Sequence, residues 1–193
     1  MQDGETQIGY GGHAARGPEG VDDARAAREA AEKATRLLGA TKPPSGRVTM
    51  LLEPRQAATL LNIVAGMLDG EAVVKGRSPF ADRLGEQIAS PVLTLVDDPT
   101  RPESLAAESW DGEGLACRPT PLVAAGVLAN FLHNSYTARR MGTRSTGSAL
   151  RGTRSLPGVG AQVLVVEPGT RSFDELVASI DRGLVINSFA GLH

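Results

Sequence analysis

The clearest amphipathic pattern in the chain runs from Pro54 to Leu68. Apolar side chains recur there at intervals of three and four residues, a repeat that places one apolar stripe along an α-helix: Ala57, Leu60, Leu61, Val64, Met67 and Leu68. Pro54 suits the first turn of a helix, where its missing N–H loses no partner. Gly70 is expected to end this helix, and a polar loop over 75–78 is expected to follow it.

The residues before this helix predict a tail, a second helix and a strand. Residues 1–20 are polar and glycine-rich without a regular period, which indicates the tail of a preceding segment. A helix is predicted from Asp22 to Leu38, because acidic residues open it, basic residues close it and Gly39 can cap it. Its expected apolar face is mostly alanine: Ala24, Ala27, Ala31, Ala34 and Leu38. A strand over 47–52 leads into the central helix.

From Pro91 onward the pattern changes to short apolar runs separated by turn residues. It predicts strands at 92–96, at 121–132 as a hairpin that turns at Gly126, at 162–166 and at 184–189. Ser172 and Glu175 form a capping-box pattern for a helix to about Asp181. We therefore expect an α+β fold, a mostly antiparallel sheet with a few packed helices.

Composition narrows the class of protein. Hydrophobic residues make up 41% of the 193 residues and charged residues 22%, which is typical of a globular domain. The net charge of −2 argues against a generic binder of nucleic acids or membrane surfaces. A single cysteine, Cys117, fits a reducing compartment, and no apolar run approaches the ~18 residues of a membrane span. These features predict a cytoplasmic protein that does not contact a membrane.

Several residues are candidates for chemistry, and each has a simpler structural interpretation. The three histidines, His13, His133 and His193, lie far apart in the sequence and lack the close spacing of metal ligands. His133 and Asn134 are more typical of a hydrogen-bonding turn, and Cys117 of a small buried apolar residue. The carboxylates at 111 and 113 could form an acid/base pair, but a polar turn between two strand ends is the favoured interpretation.

One segment is strongly basic. No acidic residue lies between Glu113 and Glu167, whereas six arginines do: Arg118, Arg139, Arg140, Arg144, Arg151 and Arg154. The segment therefore contributes +6 to a net charge of −2, so that the remainder carries −8. A solvated Gly/Ser/Thr loop over 142–160, a phosphate or nucleic-acid patch, and a surface for an acidic partner or for peptide carboxylates all remain open.

A series of motifs in one order resembles the TldD/PmbA family of metallopeptidases. They are GEAVVKGRSPFADRLGEQIASP (70–91), LTLVDDP (93–99), WDGEG (110–114) with RPTPLV (118–123), GVLANFLHNSYTARRMGTRSTGSA (126–149), VVEPG (165–169), SFDELV (172–177) and GLVINSFAGLH (183–193). The resemblance implies that residues 21–193 are part of the family's central and C-terminal domain, incomplete at its C-terminus. Residues 1–20 would be the tail of a preceding segment.

The resemblance also implies a role for the central helix. TldD-type subunits carry an HExxxH zinc motif that aligns after Leu60-Leu61, and here Asn62 and Met67 occupy the histidine positions and Ile63 the glutamate position. The chain thus resembles the PmbA type, also called TldE, with no catalytic residue and no metal of its own. Zinc and the catalytic glutamate would lie on a TldD-type partner in a heterodimer that hydrolyses unfolded peptides, in proteolysis or peptide maturation.

In the family, the RSTGSA region lines the substrate cleft. The resemblance therefore implies a substrate- or partner-binding role for six residues: Arg139, Arg140, Arg144, Ser145, Thr146 and Gly147. Two alternatives remain. One is an independent metallopeptidase with other ligands. The other is a regulatory or nucleic-acid-associated protein, since the family has also carried the name modulator of DNA gyrase; the net charge leads us not to expect nucleic acid as a partner.

Overall fold

A computed structural model describes residues 5–189, which belong to two compact units, 1–47 and 48–193. The first unit contains a 3₁₀ turn, Pro18–Gly20, and helix α1, Asp23–Arg36. The Asp22 carboxylate accepts the Arg25 N–H at 2.8 Å and so caps α1, and Gly39 adopts a φ of +69° just beyond its end. The predicted helix and its acidic N-terminal signal are confirmed, whereas Leu37 is the C-cap and the Gly39 N–H donates to the Glu5 carboxylate at 2.9 Å.

The predicted alanine face of α1 is only partly confirmed, since Ala34 and Leu38 are half-buried. Ala24, Ala27 and Ala31 are exposed within the described part of the first unit. The extended segment at Gly9 and Gly11 instead crosses α1 at Ala26 and Ala30, so closely that a Cβ on Gly11 would lie 1.9 Å from the Ala26 carbonyl oxygen. Glycine permits this approach because it carries no side chain. In an alanine-rich helix, periodicity alone does not select the contacting face.

The second unit alternates short strands and helices. Its elements in chain order are β1 Thr49–Leu52, α2 Pro54–Met67, α3 Gly70–Val74, β2 Leu95–Asp97, β3 Thr120–Ala124, β4 Val127–Leu128, α4 Ser135–Arg140, β5 Ala149–Leu150, β6 Gly158–Val159, β7 Leu164–Val166, α5 Phe173–Ala178 and β8 Gly183–Ile186. Within residues 5–189, no helix combines the length and the apolarity that a membrane crossing requires.

Antiparallel pairing dominates the second unit. A four-stranded sheet has the order β4-β3-β2-β7 with every neighbouring pair antiparallel, and β5 with β6 forms a separate antiparallel hairpin. Strands β1 and β8 form a parallel pair, which the sequence did not predict because the two strands are far apart in the chain. The α+β class with a mostly antiparallel sheet is confirmed.

The apolar stripe of α2 meets this sheet in a single core. Leu68, Leu95, Leu122, Leu128 and Leu132 are fully buried there. Ala65 and Val73 add the contributions of α2 and α3, and Leu61 and Val64 pack against the same cluster. The core therefore consists of branched aliphatic side chains from two helices and the central strands, as the pattern at 54–68 predicted.

The expected helix end at Gly70 was wrong. Helix α2 already ends at Met67, and Gly70 opens α3, whose N-cap Asp69 accepts the Ala72 N–H at 2.6 Å. Gly70 serves a tertiary contact instead. A Cβ at this position would lie 2.4 Å from Nδ1 of His133, so only glycine lets the two segments approach.

Several other boundaries also differ from the prediction. The first strand after Pro91 begins only at Leu95, and Val92 is 89% exposed. The hairpin turns at Gly126 as predicted, with φ +80°, but its second strand ends at Leu128. The strand expected from residue 162 begins at Leu164, α5 ends at Ala178, and the last strand ends at Ile186. Helix α4 was not predicted, and the expected loop over 142–160 contains the β5–β6 hairpin.

Candidate functional site

The family's metal-binding positions fall in the last two turns of α2. Asn62 is exposed and donates its side-chain amide to the Ala58 carbonyl at 2.9 Å, and Ile63 is 43% exposed. Met67 is half-buried at the end of the helix.

The residues at these three positions of α2 do not fit zinc. Zinc is held by thiolate, imidazole or carboxylate, and an amide, an isoleucine and a thioether supply none of these. Among residues 5–189, no three His, Cys, Asp or Glu side chains lie close enough to share a metal ion. The ring of His13 accepts the Asp22 N–H at 3.2 Å, and His193 lies outside the described residues.

His133 is the buried polar centre of the second unit. The side chain is 6% exposed, and its Nδ1 lies 3.2 Å from the Thr137 hydroxyl. Its backbone N–H donates to the Thr146 hydroxyl at 2.7 Å, and its carbonyl accepts from the Ser145 hydroxyl at 3.0 Å. Burial lowers the pKa of His133, because a charged imidazolium loses its hydration there.

Asn134 extends this centre into α4. Its side chain accepts the Thr137 N–H at 2.9 Å, and the Thr137 hydroxyl accepts the Asn134 N–H in return, which completes a capping box. Its amide also donates to the Pro157 and Gly158 carbonyls at the β6 end of the hairpin. His133 and Asn134 therefore have the hydrogen-bonding roles that the sequence suggested.

The six predicted binding residues lie within residues 139–147, where the arginines are exposed, Ser145 and Thr146 are half-buried and Gly147 is buried. Arg139 and Arg140 end α4, Arg144 follows in the loop, and all three are exposed. The hydroxyls of Ser145 and Thr146 instead donate hydrogen bonds to the His133 carbonyl. Gly147, at φ +73°, comes so close to the Ala116 carbonyl that a Cβ would lie 2.6 Å from it.

None of the six arginines between Glu113 and Glu167 forms an ion pair with a described residue. Every ion pair found among residues 5–189 involves carboxylates elsewhere: Glu29, Glu71, Glu86, Asp98 and Glu103. Arg118 and Arg139 donate to the backbone carbonyls of Ser145 and Ser135. The basic segment thus presents uncompensated positive charge to solvent.

The carboxylates of the DGEG run hold backbone groups in place. Asp111 is buried, and its Oδ1 accepts the N–H groups of Glu113 and Leu115, each at 2.9 Å. Its Oδ2 accepts the Ala149 N–H at 3.1 Å and so ties the turn to β5. Glu113 accepts the Ser135 N–H at 2.8 Å at the start of α4. These contacts match the polar-turn interpretation.

Cys117 lies next to this turn as a buried free thiol. Burial raises its pKa, and the negative charges of Asp111 and Glu108 act in the same direction. A thiol held protonated in this way is a poor nucleophile, which fits the predicted small apolar role.

Sequence reasoning missed a cavity of about 630 Å³ beside the same turn. Its wall is formed by residues 106–112, by β5 with the turn that follows it, and by residues 161–162. Arg151 is the lining residue that the charge pattern had singled out. No pattern in the sequence pointed to Glu108 or Leu156 as lining residues, because only the fold brings them to this wall.

Comparison with known proteins places this geometry in a family. A model described as the PmbA/TldA metallopeptidase C-terminal domain matches residues 45–193. A curated protein of Methanothermobacter thermautotrophicus named "Metalloprotease" is 34% identical over 165 residues, which cover 85% of this chain and 36% of that protein.

Two solved structures are also similar. A proposed modulator of a DNA gyrase from Thermotoga maritima superposes with a TM-score of 0.85 at 34% identity, covering 92% of this chain and 40% of that one. TldE from Thermococcus kodakarensis gives a TM-score of 0.82 at 31% identity, with 90% and 40% covered. The chain therefore spans well under half the length of these relatives. With this sequence match and this shape, the chain belongs to the PmbA/TldD metallopeptidase family.

Proposed function

We propose that this chain is the metal-free, PmbA/TldE-type subunit of a two-chain zinc peptidase that hydrolyses unfolded peptides in the cytoplasm. The observation that carries the proposal is the content of α2 at the metal positions. Asn62, Ile63 and Met67 offer no zinc ligand and no carboxylate base. Zinc and the catalytic glutamate would then lie on a TldD-type partner.

The likeness to the solved TldE structure supports this assignment, since it extends over nine-tenths of the chain. In this proposal the chain supplies the partner-facing and substrate-facing surface. Arg139, Arg140 and Arg144 contact acidic groups of the partner or the peptide, and the Ser145–Gly147 segment holds them on the His133 centre. No residue of this chain takes part in bond cleavage.

Metal analysis of the purified chain tests the proposal. Prepared without chelators and without partner, the 193-residue chain is expected to hold less than about a tenth of an equivalent of zinc, because α2 lacks ligands. The complex with the TldD-type subunit of the same organism is expected to hold about one equivalent and to lose peptidase activity on chelation.

The opposite result would favour the independent metallopeptidase. About one equivalent of zinc on the isolated chain, lost together with activity on chelation, would contradict the metal-free assignment. The ligands would then have to be sought away from α2, beginning with His13, His133 and Cys117.

A second candidate, a regulatory protein associated with nucleic acid, has one observation in its favour. The six arginines at 118–154 have no carboxylate partner among the described residues, as expected of a surface that receives phosphates. Phe131 is buried and Tyr136 is the one exposed aromatic residue among these arginines, so the surface for base stacking is small and this candidate is the weaker one.

A further inference from the structure

The open cavity beside the DGEG turn has the size of a small-ligand site. Its volume of about 630 Å³ lies within the range of roughly 300–1,000 Å³ in which proteins bind small molecules. It lies entirely on this chain, within the second unit. The proposed zinc chemistry and the helix α2 do not contribute to it.

The cavity wall carries one free charge of each sign. Glu108 and Arg151 both line the cavity, both are exposed, and neither forms an ion pair with a described residue. Asp111 also lines it, but both carboxylate oxygens already accept backbone N–H groups. Glu108 is therefore the carboxylate that remains available to a ligand.

The fold fixes Arg151 at the cavity wall. A Cβ on Gly112 would lie 2.8 Å from the Arg151 Cβ and 3.0 Å from the Ala149 carbonyl, so glycine lets the DGEG turn lie directly against β5. After Arg151 the chain turns, and the Gly152 N–H donates to the Ser155 hydroxyl at 3.0 Å. The arginine thus extends from a backbone held on both sides.

The rest of the lining is mixed, with polar side chains at Asp111, Ser155 and Gln162 and apolar ones beside them. Leu150 and Leu156 contribute branched side chains, Ala106 and Ala161 contribute small ones, and Leu156 is 89% exposed. A leucine exposed to this degree at a cavity wall gains free energy when a ligand's apolar group covers it.

We propose that this cavity binds a short peptide with two free termini. The amino group pairs with Glu108, the carboxylate accepts a two-pronged hydrogen bond from Arg151, and an apolar side chain packs on Leu150 and Leu156. The choice of a peptide as ligand rests on the proposed function, since each peptide-bond cleavage creates one new amino and one new carboxyl terminus. The binding itself requires neither zinc nor the partner.

Calorimetric titration of the 193-residue chain with the tripeptide alanyl-leucyl-alanine tests the proposal. Amidation of the peptide's C-terminus is expected to weaken binding about five- to tenfold, because it removes a charge-assisted hydrogen bond in a partly open site. Arg151→Gln is expected to weaken binding of the peptide with a free C-terminus by the same factor. The affinity for the amidated peptide should not change. Acetylation of the peptide's N-terminus should weaken binding in the same way. Glu108→Gln should weaken binding of the peptide with a free N-terminus and leave the affinity for the acetylated peptide unchanged.

Arg182→Gln and Glu167→Gln are the control variants, since both residues are exposed and lie outside the cavity. They are expected to bind the tripeptide as the unaltered chain does, and an equal thermal midpoint of all variants shows that they are folded. The absence of measurable binding would overturn the proposal. So would an Arg151→Gln effect that persists with the amidated peptide, because the contact would then not be to the terminus.

This outcome is independent of the zinc measurement. Zinc on the isolated chain with intact terminus-dependent peptide binding would refute the subunit assignment and leave the cavity proposal standing. A metal-free chain that does not bind the tripeptide would do the reverse.

Discussion

At the scale of single residues, the burial of His133 makes the stability of the second unit depend on pH. The ring is buried beside Thr137 and lies close against Gly70, where a Cβ would come within 2.4 Å of its Nδ1. Burial holds its pKa below the ordinary value of 6.5, so the unfolded chain binds the proton more readily than the folded chain. Because protonation favours the unfolded chain, the folded state keeps its full stability above pH 6.5. That stability is lost as the pH falls from 6.5 towards the lowered pKa of His133.

We therefore expect the unfolding free energy to fall as the pH drops below 6.5 towards the lowered pKa of His133, by up to about 1.4 kcal/mol per pH unit from this group. A His133→Gln variant, although less stable at neutral pH, should lack that part of the slope. Urea unfolding at a series of pH values measures it, with His13→Gln as the matched control because His13 is exposed. An identical slope in His133→Gln and the unaltered chain would refute the assignment.

At the scale of elements, the turn between β3 and β4 combines local and tertiary demands. Ala125 and Gly126 have φ values of +45° and +80°, the two left-handed positions of the tight turn that matches hairpin twist. The Gly126 N–H donates to the Leu93 carbonyl at 2.8 Å, and the Gly126 carbonyl accepts the Ile88 N–H at 2.9 Å. A Cβ on Gly126 would lie 2.4 Å from the Ala89 carbonyl oxygen, whereas Ala125 is exposed.

The two turn positions should consequently respond in opposite ways to substitution. Gly126→Ala is expected to destabilise the chain by about 2 kcal/mol or more, from the left-handed strain together with the backbone clash. Ala125→Gly is expected to be neutral or to stabilise by up to about 1 kcal/mol, because it relieves the same strain without a clash. Thermal or urea unfolding of the two variants measures both effects. A Gly126→Ala variant as stable as the parent would contradict this account of the turn.

At the scale of the whole molecule, charge is segregated along the chain. The segment between Glu113 and Glu167 contributes +6 and the remainder −8, and the segment's arginines have no acidic partner among the described residues. Uncompensated exposed charge of one sign raises the rate and specificity of association with the opposite sign. The net charge of −2 does not show this separation of charge, because the +6 and the −8 nearly cancel.

Exchanging Arg139, Arg140 and Arg144 together for glutamine is expected to weaken association with the TldD-type subunit about five- to twentyfold at low salt, since exposed pairs contribute about 0.2–1 kcal/mol each. The loss should shrink as salt is added. The double variant Arg171→Gln with Arg182→Gln serves as the control, because both residues lie outside the basic segment. Binding to the partner is measured by calorimetry at two salt concentrations.

An unchanged affinity of the triple variant for the partner would contradict this role for the arginines. If the same variant instead lost a steeply salt-dependent affinity for duplex DNA, the nucleic-acid candidate would be favoured. The two results come from separate measurements, binding to the partner and binding to DNA, and can therefore be told apart.

The sequence by itself determined the elements whose signals are local. The Asp22 cap of α1, the apolar stripe of α2, the Ser172–Glu175 capping box and the turn at Gly126 all depend on residues within a few positions of one another. Hydrogen bonds and side-chain contacts at such spacing form within one helical turn or one hairpin, so their pattern is visible in the sequence. The family motifs, read in order, predicted the fold class as well.

Only the tertiary structure decided what depends on distant residues. Gly70 lies so close to His133 that a Cβ would clash there, and Asn134, the N-cap of α4, also reaches the β6 end of the hairpin. Glu108 and Arg151 share one cavity although they lie 43 positions apart. Contacts of this length leave no periodic trace along the chain, since their geometry is fixed by the packing of whole elements and not by the spacing of neighbours.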